Sequence, residues 1–381
     1  MNPSTPHPLK PLKPLKPLKP LPPKVNFETM RIYKPLVAAK AALSELRGTA
    51  KSLPNPAILI DTLFLQEALA SSEIENIVTT QDEAFQATLS ENTEGSVEAK
   101  EVNRYSIALR HGYESWRKRQ GISENMLIEM FQILKQRDDG YRTLPGTVVR
   151  NQRSGETIYM PPQEPNEIVR LMRDLETFIN DQRSAMDPLI RMALIHHQFE
   201  SIHPFFDGNG RVGRMLNVLY LSHAGLLDEP ILYLSRAINA TRPDYYRLLQ
   251  AVRDEGAWAD WVIYMLTAVE KSAHSSLRLI EGVREEMLAT KRRMRSDLPK
   301  IYSQDLLNNL FRRPYTRIEY VAKDIDVHYN TASSHLKKLA AAGFVEEMEA
   351  GRSKYYVNRS LLKILLEVSE QDEALAAAAR G

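Results

Sequence analysis

Within twelve positions the chain sets an imidazole, a carboxylate, a glycine–asparagine turn and two guanidinium groups, in the run His203-Pro204-Phe205-Phe206-Asp207-Gly208-Asn209-Gly210-Arg211-Val212-Gly213-Arg214. An imidazole such as that of His203 can take a proton near neutral pH. A carboxylate such as Asp207 is a hard oxygen ligand of the kind Mg²⁺ accepts when it also holds substrate phosphates. The planar forks of Arg211 and Arg214 suit phosphate oxygens. Apolar residues at helical spacing follow at once, Met215, Leu216, Val218, Leu219 and Leu221, so the turn is also a helix start. Exposed backbone N–H groups at the positive end of a helix dipole make an anion site. These residues ask for a magnesium–nucleotide and a proton acceptor side by side.

The elements that must carry this turn read as helices with short breaks from about residue 54 to 285. Pro54-Asn55-Pro56 precedes the apolar run Ile58, Leu59, Leu63, Leu65 and Leu69. Pro188 opens another, Leu189, Ile190, Met192, Leu194, Ile195 and Phe199, which leads into the turn. Strand-like text is scarce. The exception is Thr147-Val148-Val149-Arg150 and Thr157-Ile158-Tyr159-Met160, separated by polar residues 151–156 and closed by Pro161-Pro162. It reads as a hairpin, with an ordinary loop as the alternative.

The twelve-residue run matches the signature H-P-F-x-[D/E]-G-N-G-R-x-x-R at every fixed position, and the chain therefore resembles the Fic family. The resemblance implies a mainly α fold: a helical bundle with a β-hairpin flap over the active site, able to transfer AMP from ATP to a hydroxyl on a protein. It implies His203 as the general base and Asp207 as the Mg²⁺ ligand. Gly208, Asn209 and Gly210 would form the phosphate nest, and Arg211 and Arg214 would bind the outer phosphates. It puts Asn239 and Tyr246 near the adenine and ribose, although a tyrosine at helical spacing is also ordinary core. Ser71-Ser72-Glu73-Ile74-Glu75-Asn76 matches the family's inhibitory motif, [S/T]-x-x-x-E-[G/N]. In that reading Ser71 and Glu75 share a helix face, and Glu75 pairs with Arg214 and blocks productive placement of the γ-phosphate. Gly208 also bears on the chemistry. A relative that phosphorylates has lysine there, others transfer UMP or phosphocholine, and some remove AMP.

Composition sets wider bounds. The chain has 381 residues, 43% hydrophobic and 26% charged, enough for two or three globular domains. There is no cysteine, which excludes disulfides, thiol catalysis and cysteine-based zinc sites. No apolar run approaches the roughly 20 residues of a membrane helix, and the proline- and lysine-rich N-terminus is not a signal core. No membrane association is expected, and the cytoplasm is the expected compartment. Residues 1–25 form a Pro/Lys-rich tail whose Pro-Leu-Lys repeats favour extended polyproline II, either as a basic tail or as a ligand for a proline-reading module.

Residues 26–285 are read as the Fic domain with its N-terminal inhibitory helix, 286–300 as a linker, 301–365 as a winged helix-turn-helix and 366–381 as a C-terminal tail. Lys291, Arg292, Arg293, Arg295, Pro299 and Lys300 mark the boundary. An apolar helix over Ile301–Phe311, a helix capped by Thr316, a break at Asp326-Val327 and a helix over Asn330–Leu339 ended by Gly343 then lead to two strands, Phe344–Glu346 and Lys354–Val357, joined through Gly351-Arg352-Ser353. Residues 291–360 carry 14 Lys+Arg and 8 Asp+Glu, hence +6, which is compatible with DNA phosphates. Glu346, Glu347 and Glu349 oppose that, and the same fold could instead contact protein, including a second copy in a homodimer. His196 and His197 lack the spacing of a zinc site and are expected to cap or pack their helix. His328 and His335 are expected on the surface. ATP, Mg²⁺ and an unnamed target protein are the expected partners. The rival is a DNA-binding transcriptional regulator in which the signature only senses nucleotide.

Overall fold

In the computed structural model the described residues are 18–51, 57–89, 96–150, 155, 157–350 and 353–378. The start of the Pro-Leu-Lys tail, the Pro54-Asn55-Pro56 break, most of the hairpin turn and the Gly351-Arg352 link lie outside them. Among the described residues there are fifteen helices and five short strands.

The first helices are α1 (Met30–Lys51), α2 (Ala57–Ile74), α3 (Gln81–Leu89), α4 (Val97–Arg119) and α5 (Glu124–Lys135). Strands β1 (Val149–Arg150) and β2 (Thr157–Tyr159) pair antiparallel, with Val149 opposite Tyr159 and Arg150 opposite Thr157, so the expected hairpin is present in shortened form. Then come α6 (Pro165–Asn180), α7 (Pro188–Ile202), α8 (Asn209–His223), α9 (Leu234–Ala240), α10 (Arg242–Glu255) and α11 (Trp258–Asp297).

The centre of the molecule is the pair α7 and α8, which pack on each other. Every residue of α7 from Leu189 to Ile202 is buried, and α8 is buried almost throughout. Helices buried all round are core elements and do not show a one-sided apolar stripe. The start of α7 is set by Asp187, whose side chain accepts from the Leu189 N–H at 2.9 Å, and by Pro188 in the first turn. Helix α11, about 60 Å long at 1.5 Å per residue, packs against α1, α7 and α9.

Two of the expected boundary segments lie within helices. Most of the expected linker, 286–297, is the end of α11, which continues unbroken because Val283, Met287, Thr290 and Met294 extend its buried stripe. The expected C-terminal tail is helical as far as Ala378 within α15 (Arg359–Ala378), and α15 packs back on α11. At the other end, Leu18 and Leu21 of the expected N-terminal tail lie against the core, and the Lys19 carbonyl accepts from Gln198 at 3.3 Å.

Between α11 and α15 the order is α12 (Gln304–Arg312), β3 (Tyr315–Thr316), α13 (Ile318–Asp324), α14 (Tyr329–Ala341), β4 (Glu346–Ala350) and β5 (Ser353–Val357). The sheet order is β3-β5-β4, with both neighbouring pairs antiparallel. Ser303 caps α12 by accepting from the Leu306 N–H at 3.0 Å. Thr316 does not cap α13; it lies in β3 and its hydroxyl donates to Asn309 Oδ1 at 3.0 Å. The Asp326 break and the Gly343 stop both take positive φ, 52° and 70°. No helix among the described residues is long and apolar enough to cross a membrane.

Candidate active site

The signature occupies the end of α7, a five-residue turn and the start of α8. His203 itself ends α7, in the left-handed region at φ 51°. Gly208, at φ 77°, is the N-cap of α8, and a side chain there would press on Leu134. The turn is locked from inside by Asn209. Its Oδ1 accepts from the Phe205 N–H and its Nδ2 donates to the Phe205 carbonyl, both at 2.8 Å. The Asn209 side chain is therefore spent on holding the turn closed, while Gly208 and Gly210 bring its backbone forward.

Arg211 and Arg214 are both buried and both already hold carboxylates. Arg211 pairs with Glu101 of α4. Arg214 reaches back to the end of α2. Its Nε donates to Ser71 Oγ at 2.8 Å, and its Nη2 donates to the Ser71 carbonyl at 2.9 Å and to Glu75 Oε1 at 2.8 Å. Burial would lower the Arg214 pKa, but the Glu75 carboxylate and nearby tyrosines outweigh it and raise it. A methyl at Gly210 would overlap the Glu75 carboxylate, so that carboxylate lies directly on the turn. The position of Glu75 differs in one detail from the expected helix face: α2 ends at Ile74, and Glu75 stands in the closing turn, its N–H bonded to the Ser72 carbonyl at 2.9 Å.

Asp207 points outward, with 66% of its side chain exposed. Partial burial would raise its pKa, but Lys135, 2.6 Å away, and Arg211 lower it instead, so it is ionised at neutral pH. Lys135 also touches Glu101 at 3.3 Å. Among the described residues no group of three or more His, Cys, Asp or Glu side chains could hold a metal alone. One ionised, accessible carboxylate beside an anion-binding turn does fit Mg²⁺, which keeps several waters and takes phosphate oxygens for the rest.

The His203 imidazole is neutral at pH 7. Burial, Arg253 and Arg142 lower its pKa to about 4, against smaller opposing pulls from a backbone hydrogen bond with Glu200 and from the Glu75 carboxylate. Arg142 and Arg253, like Lys135 and Glu101, carry no signal in their local sequence. His196 and His197 pack as expected. His196 sits between the Gly213 carbonyl at 3.3 Å and the Tyr245 hydroxyl at 2.9 Å, and His197 meets the Leu249 carbonyl at 3.2 Å. His328 stands at the N-cap of α14, and His335 is half-buried.

Tyr246 and Asn239 part company. Tyr245 is the buried core tyrosine, while Tyr246 stays 38% exposed beside the Arg242 guanidinium and close enough to feel the charges of Glu75 and Arg214. The Asn239 carbonyl accepts from the Thr241 N–H, and none of the described hydrogen bonds joins Asn239 to the signature turn. A further buried acid, Glu67, joins α2 to α9 by accepting from the Ser235 N–H at 3.0 Å and from Tyr105 at 3.2 Å.

Comparison with known proteins places this geometry. Three family models match: the Fic/DOC family N-terminal region over residues 33–114, the Fic/DOC family over 121–221, and the C-terminal domain of SoFic-like protein adenylyltransferases over 287–361. The chain is 32% identical over 112 residues to protein adenylyltransferase fic-1 of Caenorhabditis briggsae, covering 29% of this chain and 21% of that one. It is 29% identical over 190 residues to a probable protein adenylyltransferase of Aquifex aeolicus, covering 48% of this chain and 55% of that one. The aligned part thus spans about a fifth of the length of the first relative and about half of the second. Among solved structures, a Fic family protein from Desulfovibrio desulfuricans G20 superposes with a TM-score of 0.51 at 21% identity, over 85% of this chain and 95% of that one, which shows a shared fold. Signature, helical bundle and family models agree, and residues 33–114 and 121–221 of the chain match the Fic/DOC family.

Proposed function

We propose that the chain is a protein adenylyltransferase that moves AMP from ATP to a Ser, Thr or Tyr hydroxyl of a target protein, itself included, and that Glu75 restrains it. The observation that carries this reading is the meeting of a neutral imidazole at the end of α7 with a helix start whose two buried arginines are both charge-paired with carboxylates. The relatives' names point the same way.

In the reaction the target hydroxyl oxygen attacks the α-phosphorus of ATP. His203 takes the hydroxyl proton, the bond from the α-phosphorus to the bridging oxygen breaks, and pyrophosphate leaves. A base held well below its ordinary pKa is free to accept at neutral pH, though as a weaker base, and the positioning must supply the rest. The Gly208–Gly210 turn and the N–H groups of α8 receive phosphate oxygens. Asp207 would hold Mg²⁺, which when bound offsets phosphate charge. Arg214 receives the outer phosphate only after Glu75 leaves it.

The test is label transfer on the purified chain. Label from α-³²P-ATP without label from γ-³²P-ATP identifies AMP transfer. Equal labelling from both, or none from either even after Glu75→Gly, sinks the reading. Loss of transfer with EDTA and its return with Mg²⁺ tests the metal.

A further inference from the structure

We propose that Arg142 and Arg253 are positioning residues for the transfer step: with Tyr159 they cap the end of α7, set the placement of the His203 imidazole and join it to the flap. The proposal rests on His203 as the base of AMP transfer.

A helix leaves its last carbonyls without intrahelical partners, and most helices answer with a left-handed glycine. Here the left-handed residue is His203, whose side chain disfavours that conformation. The carbonyls on either side of it are all taken. Glu200 O accepts from Arg253 Nη2 at 3.2 Å, and Ser201 O from the Tyr159 hydroxyl at 2.9 Å. Ile202 O accepts from Arg142 Nη2 at 3.3 Å and His203 O from Arg142 Nε at 2.9 Å. Pro204 O accepts from the Arg142 backbone N–H at 2.9 Å. Arg253 Nε also donates to Ser201 Oγ at 3.1 Å. Five successive carbonyls are thus held by two arginines and one tyrosine.

Each arginine has a second hold, on the flap side. The Arg253 guanidinium lies 4.0 Å from the centre of the Tyr159 ring in β2. Arg142 also donates to the carbonyl of Pro162, just past β2. A movement of the flap is therefore felt at the His203 turn. Two cations at a helix C-terminus also suit the dipole and disfavour a third charge on the imidazole. The charged groups facing His203 are Arg142 from the segment after α5, Arg253 from α10 and Glu75 from the turn after α2, while Glu200, on its own helix, acts on it through a backbone hydrogen bond. Glu75 pulls the other way, and the Glu200 carboxyl, raised by burial to about 7, is about half protonated at neutral pH.

The experiment uses the full chain carrying Glu75→Gly, alone and with Arg253→Gln, Arg253→Lys or Arg142→Lys. Histidine side-chain NMR follows the titration of His203, assigned by its loss in His203→Ala. The expected midpoint rises by about one pH unit in Arg253→Gln and stays near the parent value in Arg253→Lys, which keeps the charge. Self-modification with α-³²P-ATP between pH 5 and 9 should then show Arg253→Gln losing rate mostly on the acid side. Arg253→Lys and Arg142→Lys, which loosen the carbonyl and flap contacts while keeping charge, should lose rate evenly across that range. An unchanged His203 midpoint in Arg253→Gln, with a rate profile parallel to the parent's, overturns the proposal. A parent chain that takes no label defeats the transfer reading instead, and the NMR midpoints still decide the placement of charge around His203.

Discussion

The ion pairs of the signature turn and those of the C-terminal strands differ in what surrounds them. Arg214 is 1% exposed and holds Glu75 in a cleft. Lys354, 38% exposed, holds Glu347 across the β4–β5 ribbon, and Arg359 holds Glu346 in the same open setting. The residue types are the same, but the solvent is not. Water and salt screen the exposed pairs, and such pairs contribute little. A buried arginine needs a partner at all times, because leaving it alone carries a desolvation cost. Under the proposed function Arg214 waits for phosphate, and Glu75, in the turn that closes α2, is the carboxylate that would give way to it. Between these extremes lies Asp61, 7% exposed, which takes Arg312 at 2.8 Å and Arg313 at 3.2 Å from the C-terminal region, and Arg110 from α4.

The largest expected effect lies inside the buried region. His203→Ala should lower transfer by about 10²–10⁴-fold while nucleotide affinity persists, because the base acts on the hydroxyl and not on ATP. Transfer within threefold of the parent chain would remove His203 from the role.

Glu75→Gly should raise self-modification by roughly ten- to a hundredfold, the equivalent of about 1.4–2.8 kcal/mol recovered in the transition state. Arg214→Ala in that background should cancel the gain, since the freed partner is then missing. Equal labelling of the parent and Glu75→Gly would mean that the buried pair restrains nothing.

Asp61→Asn should lower stability by about 1–3 kcal/mol, read as a lower melting temperature, because three guanidiniums then face each other without their shared carboxylate. A melting temperature equal to the parent's would place Asp61 with the screened pairs. Lys354→Ala, at the exposed end of the comparison, should leave the melting temperature unchanged. A clear drop there would break the contrast.

Acidification tests the buried region as a whole. His196 at about 3, His203 at about 4, and His197, which is also held well down, all lie below the ordinary histidine value of 6.5, chiefly through burial. Below pH 6.5 the unfolded chain takes up those protons and the folded chain does not, so stability is lost as pH falls toward the folded values. Glu67 and Glu200, raised by burial to about 7, act oppositely: the folded chain keeps protons that the unfolded chain releases above 4.5. Each group is worth about 1.4 kcal/mol per pH unit. The histidines outnumber the acids, so the melting temperature should fall from pH 6.5 to 4.5. Glu200→Gln should make that fall steeper by removing one opposing group.

What could be read from the residues was local. The signature turn, the helix stop at Gly343, the hairpin and the Ser71–Glu75 motif each lie within a few consecutive residues, and backbone geometry alone brings their atoms together. Even the Glu75–Arg214 pair was accessible through the family likeness, although not the closing turn that Glu75 occupies. The linker was misplaced because the basic residues after position 290 hide a stripe, Val283, Met287, Thr290 and Met294, whose burial depends on what packs against it. Lys135, Glu101 and Arg142 were not legible at all, and Arg253 lay in a family-like stretch without a role. They come from elements some 40 to 110 residues from the signature turn, and an arginine's partner among many carbonyls and carboxylates is chosen by which helices pack together. The sequence by itself determined which groups could do the chemistry. The tertiary structure alone decided which charges surround His203 and which carboxylate sits on Arg211, because burial and the proximity of distant segments exist only once the helices are packed.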